Sequence, residues 1–161
     1  RIYKREINNL DGDFSLSSEN IYDQLEIQNL KDKKKKIHEK IVNILANKLK
    51  KKFQVYEDPK GFDLYAFQEE GSLLFEVKTI DNNSFISQTR SAIIQLEEYE
   101  FINKTIYSHK IFQGKIKKII IYDTDPIKLE NNKKINNYLL FLDKLNIDFY
   151  YLNGEDIEIN I

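Results

Sequence analysis

Apolar residues recur along this chain with two different periods, and the switches between them mark its elements. From residue 32 to about residue 50 the period is helical. Ile37, Ile41, Leu45 and Leu49 return every fourth position, and Val42, Ile44 and Ala46 widen the stripe. Residues 53–56 are a short strand candidate, closed by the turn signal Asp58-Pro59-Lys60-Gly61. Residues 62–67 and 73–80 read as strands joined through residues 68–72, which include Gly71. Asp81-Asn82-Asn83-Ser84 breaks the pattern, and Ser84 suits a helix N-cap. Residues 85 to about 103 predict a second long helix, rich in Ile, Leu and Ala. The continuous Ile119-Ile120-Ile121 marks residues 117–122 as a strand buried on both faces. Asp123 to Pro126 ends it, residues 129–145 predict a third helix, and residues 147–152 a last strand.

The order is therefore α-β-β-β-α-β-α-β. Central hairpins imply antiparallel pairing, and strand-helix-strand alternation at the end implies parallel pairing. The expected fold class is α/β, a mixed β-sheet flanked by helices. Residues 1–31 are polar with scattered Ile, Tyr and Leu, and are expected to form an arm or connector. Asp11-Gly12-Asp13 reads as a turn, and Ile21, Tyr22, Leu25 and Leu30 as one short helical face. Residues 32–161 then make up the principal domain. The chain opens on Arg1 rather than Met, as expected of a fragment with an upstream domain or a partner protein.

Composition narrows the chemistry. At 161 residues with 41% apolar and 32% charged positions, one domain with a substantial core is expected rather than a disordered chain. No apolar run reaches the roughly 20 residues needed to cross a bilayer, so no membrane role is expected. The absence of cysteine removes disulfides, thiolate zinc sites and thiol nucleophiles, and fits a cytoplasmic setting. His38 and His109 alone cannot build a histidine metal site, so any metal would be a hard cation held by oxygen. Net charge is −1, but the lysines cluster: Lys31 with Lys33 to Lys36, Lys48 with Lys50 to Lys52, and Lys115 with Lys117 and Lys118. Each block reads either as a solvated face or as a local patch for nucleic acid.

Two charges stand inside the apolar run Leu73-Leu74-Phe75-Glu76-Val77-Lys78-Thr79-Ile80, and a third, Asp63, inside Gly61-Phe62-Asp63-Leu64-Tyr65-Ala66-Phe67. Burying an unpaired charge costs several kcal/mol, of the order of a domain's whole stability. Alternation along a strand puts Glu76 and Lys78 on one face. A hairpin pairing brings Asp63 to the same edge of the sheet as Glu76. Two such carboxylates repel unless a cation lies between them. Mg²⁺ accepts one or two carboxylates and completes its shell with water and phosphate oxygens, and Mn²⁺ is expected to substitute. The plainest alternative is a Glu76–Lys78 ion pair on an exposed edge strand.

Asp63 followed by Glu76-Val77-Lys78 resembles the D…(D/E)-x-K signature of the PD-(D/E)XK nuclease superfamily, with Gly61-Phe62 where the family often has proline before the aspartate. The element order is similar to the restriction-endonuclease-like core, αβββαβ, with an additional C-terminal helix and strand. Gln95-Leu96-Glu97-Glu98-Tyr99 resembles the Q-x-x-x-Y helix motif of the RecB-like branch. The resemblance spans residues 32–152. It implies a Mg²⁺-dependent deoxyribonuclease, an endonuclease of restriction or anti-phage defence, with DNA as partner. By that resemblance Asp63, Glu76 and Lys78 are catalytic, and Asp63 and Glu76 bind metal with Glu39 from the first helix completing the shell. His38 is the alternative to Glu39, and both also read as solvated helix surface. Gln95 and Tyr99 would position substrate, with Arg90 on a phosphate. Asp123 and Asp125, flanking Thr124, read first as turn or capping residues. An RNA-cleaving or DNA-repair nuclease of the same fold, and a non-catalytic nucleic-acid-binding module, remain as alternatives. Homodimerisation is compatible with cutting two strands.

Overall fold

The structure is a computed structural model that describes the backbone of residues 18–161 and the side chains of residues 23–161. The Asp11-Gly12-Asp13 turn and the side chains of Ile21 and Tyr22 lie outside the described residues. Two compact units meet between Lys33 and Lys34, two positions beyond the expected boundary. The first helix, α1 (Ser18–Leu49), runs through that boundary rather than starting near Asp32. The reason is local: residues 18–31 contain no Gly or Pro, and the helix formers Leu, Glu and Gln supply six of the fourteen, so nothing stops a helix there. In the first unit Gln28 Nε2 donates to Asp32 Oδ1 one turn on, at 3.0 Å, and Leu25 and Leu30, read as part of a short helical face, lie on this helix and are exposed.

In residues 34–161, α1 is followed by β1 (Gln54–Tyr56), β2 (Leu64–Phe67), β3 (Ser72–Lys78), α2 (Phe85–Phe101), β4 (Ile116–Tyr122), α3 (Asn132–Lys144) and β5 (Ile147–Tyr151). The sheet order is β1-β2-β3-β4-β5. The β1–β2 and β2–β3 pairs are antiparallel, and the β3–β4 and β4–β5 pairs are parallel. This is the mixed α/β arrangement expected from the element order. β3 is the middle strand, so its two charges cannot lie on an exposed edge strand.

Strand alternation splits the core into two layers. On one face Ile41, Val42, Leu45 and Leu49 of α1 cover Leu64, Phe75, Val77, Ile119 and Ile121. On the other, Phe85, Ala92 and Leu96 of α2 and Ile135 and Leu142 of α3 cover Tyr65, Leu74, Ile120 and Tyr122. Two tyrosines bury their rings with their hydroxyls satisfied. Tyr65 donates to the Ile111 carbonyl at 2.6 Å and stacks on Phe112 at 3.9 Å, while Tyr122 and Thr89 share a hydrogen bond of 2.8 Å.

Several boundaries shift for identifiable reasons. α2 gives way at Ile102–Ile106 to a wider π turn, which ends the regular helix short of residue 103. Asn131 takes a left-handed conformation, φ 64°, so α3 starts after it rather than at residue 129. Ser84 stands at the α2 N-cap position but makes no side-chain cap; its hydroxyl accepts instead from the Asp81 N–H at 3.0 Å.

Leu45 has no exposed surface and joins α1 to the sheet. Leu45→Ala should cost roughly 2–5 kcal/mol, read as a lower urea midpoint with an unchanged m-value. A loss under about 1 kcal/mol would show that α1 is not part of this core.

Candidate active site

The site forms where β2 begins and β3 ends. Continuing the β2–β3 register beyond Leu64↔Phe75 brings Asp63 opposite Glu76 and Phe62 opposite Val77. The ladder is not continued in that form. The Val77 N–H donates to Asp63 Oδ2 at 2.7 Å, and the Phe62 carbonyl accepts from the Asp58 N–H at 3.3 Å. The aspartate side chain thus replaces a rung of the sheet, which is why β2 begins at Leu64 rather than residue 62. It also places the carboxylates at the end of central strands, not on the lateral edge of the sheet.

Glu76 and Lys78 share the β3 face that carries Leu74, so both meet α2. Glu76 is only 4% exposed. Its Oε1 accepts from Lys78 Nζ at 2.9 Å, while its Oε2 is buried without a hydrogen-bond partner. Burial first, and the charge of Asp63 second, push the Glu76 carboxyl up to about 7 against the pull of Lys78 and His38. Lys78 Nζ also donates to Gln95 Oε1. Ser91 Oγ donates to the same oxygen at 3.2 Å, and Gln95 Nε2 donates to Tyr99 Oη at 3.3 Å. Ser91, Gln95 and Tyr99 are successive i, i+4 positions on one α2 stripe. Burial, then the nearby Glu76 charge, raises the Tyr99 hydroxyl above its ordinary range.

Asp63 is held from the opposite layer. His38 Nε2 of α1 donates to Asp63 Oδ1 at 2.9 Å, and that hydrogen bond raises the His38 pKa against the cost of burial. A continuous chain of contacts thus runs from α1 through β2 and β3 to α2.

The structure therefore brings together Asp63, Glu76, Lys78, Gln95, Tyr99 and His38. Gln95 engages Lys78 rather than facing outward. Glu39 is exposed and lines an open cleft of about 430 Å³ with His38 and Asp63, but forms no hydrogen bond with either carboxylate. The phase of α1 decides this. His38 is three residues before Ile41 and four before Val42, on the buried stripe, whereas Glu39 is turned away from it. Arg90 is drawn elsewhere: its Nε donates to Tyr138 Oη on α3 at 2.6 Å, with the guanidinium 5.6 Å from the ring centre. Asp123 accepts from the Ile80 N–H at 2.9 Å and Asp125 from the Ile127 N–H at 3.0 Å, which are turn and capping roles. Ser91 was not anticipated; its signal was its place one turn before Gln95.

Among the described residues no three His, Asp or Glu side chains converge to hold a metal by themselves. Asp63 and Glu76 nonetheless suit a hard cation that takes most of its shell from water and substrate. The partnerless buried Glu76 Oε2 is an acceptor whose desolvation a cation would offset. Among known proteins, no family model, no characterised protein and no solved structure matches the chain.

A carboxyl raised from 4.5 to about 7 by folding favours the folded state below pH 4.5, and that advantage is lost as pH rises through about 7. His38, also raised, acts in the same direction around and above pH 6.5. Without divalent ions, stability should therefore fall between pH 4.5 and 8, by on the order of 3 kcal/mol from Glu76. Urea titrations of the protein and of Glu76→Gln should show a flatter pH dependence in the variant. Parallel curves would mean that Glu76 is not strained by its burial.

Proposed function

We propose that the chain is a divalent-metal-dependent deoxyribonuclease that hydrolyses phosphodiester bonds, with the helix, three-strand meander, helix and strand of residues 34–122 serving as a restriction-endonuclease-like core. The observation that carries this reading is the buried Glu76–Lys78 pair at the end of the middle strand, with Asp63 on the adjoining strand and one Glu76 oxygen unsatisfied. A strongly perturbed buried carboxyl joined to a lysine, with a second carboxylate on the adjoining strand, suits phosphoryl chemistry and is what ordinary packing avoids. A purely structural ion pair is disfavoured by position, since replacing Glu76 and Lys78 with apolar residues would relieve the burial cost.

Asp63 and Glu76 would hold the cation, which when bound polarises the phosphodiester and favours ionisation of water. The remaining steps belong to the chain. Val77 and His38 fix the two Asp63 oxygens, so the carboxylate cannot rotate away from the site. Gln95 holds the Lys78 ammonium beside Glu76, ready to stabilise negative charge on the phosphoryl oxygens or to orient the attacking water. Attack of water on phosphorus forms one P–O bond and breaks the ester P–O bond; the proton lost by water goes to solvent, and the leaving oxygen takes a proton from solvent.

Incubation with supercoiled, linear and single-stranded DNA should show cleavage with Mg²⁺ or Mn²⁺ and none with EDTA. Asp63→Ala and Lys78→Ala should each lower the rate by about 10²-fold or more. The absence of DNA cleavage under every condition, or cleavage indifferent to Lys78→Ala, would overturn the reading. Hydrolysis of RNA alone would transfer the same chemistry to the other substrate, and DNA binding without hydrolysis would indicate a non-catalytic module.

A further inference from the structure

Ion pairs take up only part of the charge of two lysine blocks. Lys118 is paired with Glu97 and Glu100, Lys117 with Asp148 and Lys48 with Asp156, while Lys50, Lys51, Lys52 and Lys115 are, among the described residues, outside ion-pair distance of a carboxylate. Among the described residues, none of Lys34, Lys35 and Lys36 lies within ion-pair distance of a carboxylate, and all three are exposed. Their positions on α1 are not equivalent. Lys34 and Lys35 stand four and three residues before His38, one helical turn from it on the same flank, whereas Lys36 lies on the far side. Lys36 instead borders a separate groove with Lys40 and Glu155.

The Lys34 charge is felt by two carboxylates that follow strands at the end of the sheet where the site lies. Asp81, just after β3, is held below its ordinary value by the Asn83 N–H first and the Ser84 hydroxyl second, with Lys34 assisting. Asp123, at the end of β4, is raised by burial against the Ile80 N–H and Lys34.

The two directions leading away from Asp63 along α1 differ in charge. Toward the C-terminus the cleft is lined by Glu39, Glu57 and Asp58, which repel a phosphate. Toward the N-terminus come the exposed Lys34 and Lys35, with Asp81 and Asp123 offsetting part of the Lys34 charge. One helical turn advances about 5.4 Å, comparable to the step between neighbouring phosphates of a strand and within the reach of a lysine side chain. We propose that Lys34 and Lys35 form a phosphate track that holds the DNA strand on one side of the bond at Asp63 and Glu76, so that the strand leaves the site past these two lysines and not across the acidic cleft. The track deepens the nuclease reading, on which it rests for the position of the scissile phosphate.

The test compares the full chain with the Lys34→Gln/Lys35→Gln double variant and with Lys36→Gln. Binding of a fluorescent DNA duplex is measured by anisotropy in EDTA across a salt series, after circular dichroism confirms equal folding. The double variant should bind about tenfold or more weakly, with the slope of log K against log salt reduced by up to about 2, while Lys36→Gln keeps the parent affinity and slope. Equal affinities and slopes for the double variant and the parent, an equal loss in Lys36→Gln, or no DNA binding by the parent would overturn the track. Cleavage by the parent in Mn²⁺ is scored separately. Cleavage with no lysine effect removes the track and leaves the nuclease reading, and a lysine effect with no cleavage overturns the nuclease reading and with it the track's place beside a scissile bond.

Discussion

Everything around this site depends on one constraint: Glu76 is a carboxylate on the middle strand of a five-stranded sheet with almost no access to water. A charge there must be compensated from nearby or remain protonated. Lys78, two residues on and on the same face, compensates half of it through Oε1. Oε2 has no hydrogen-bond partner, and Asp63 opposite makes ionisation harder still. The carboxyl is consequently balanced near neutrality, where a small change in local charge alters its protonation. A cation arriving at Asp63 and Glu76 would shift that balance decisively.

The two-layer architecture holds this balance in place. α1 lies on one face of the sheet and α2 and α3 on the other. Each layer reaches the strand charges through one polar side chain, His38 to Asp63 and Gln95 to Lys78, with Ser91 and Tyr99 bonded to Gln95. Each of these two contacts has a charged partner and contributes on the order of 1.5–3 kcal/mol at most. Their effect is positional. The carboxylate of Asp63 and the ammonium of Lys78 are each fixed by two partners, so the charged atoms that would meet a phosphate are ordered before it arrives.

Much of this was legible in the chain, and the failures are instructive. The period-four stripe of α1, the buried Ile119-Ile120-Ile121 and the turn around Asp58 to Gly61 depend on short-range pattern, and the elements appear where that pattern places them. So does the shared face of Glu76 and Lys78, which follows from alternation alone. The start of α1 was hidden because the short helical face of Ile21, Tyr22, Leu25 and Leu30 is separated from the stripe beginning at Ile37 by the lysine block, so the two read as different elements. The choice between Glu39 and His38 turned on helical phase, which the buried positions Ile41 and Val42 already contained. Arg90 was different: its partner Tyr138 lies 48 positions away on another helix, and nothing local points to it. The bond from Val77 N–H to Asp63 is likewise invisible to periodicity, because it replaces a rung of the sheet that a regular pattern would assume. Short-range rules located the charged residues; tertiary packing chose their partners.

The central claim is that Asp63 and Glu76 together form a cation site beside Lys78. Crystals of the protein soaked in Mn²⁺ and measured near the manganese absorption edge test it directly. The account predicts one anomalous peak in coordination distance of an oxygen from each carboxylate, with Glu76 Oε2 no longer lacking a partner, and no such peak in crystals of Glu76→Gln. A saturated soak with no peak there, or a peak bound only at other carboxylates, would contradict it.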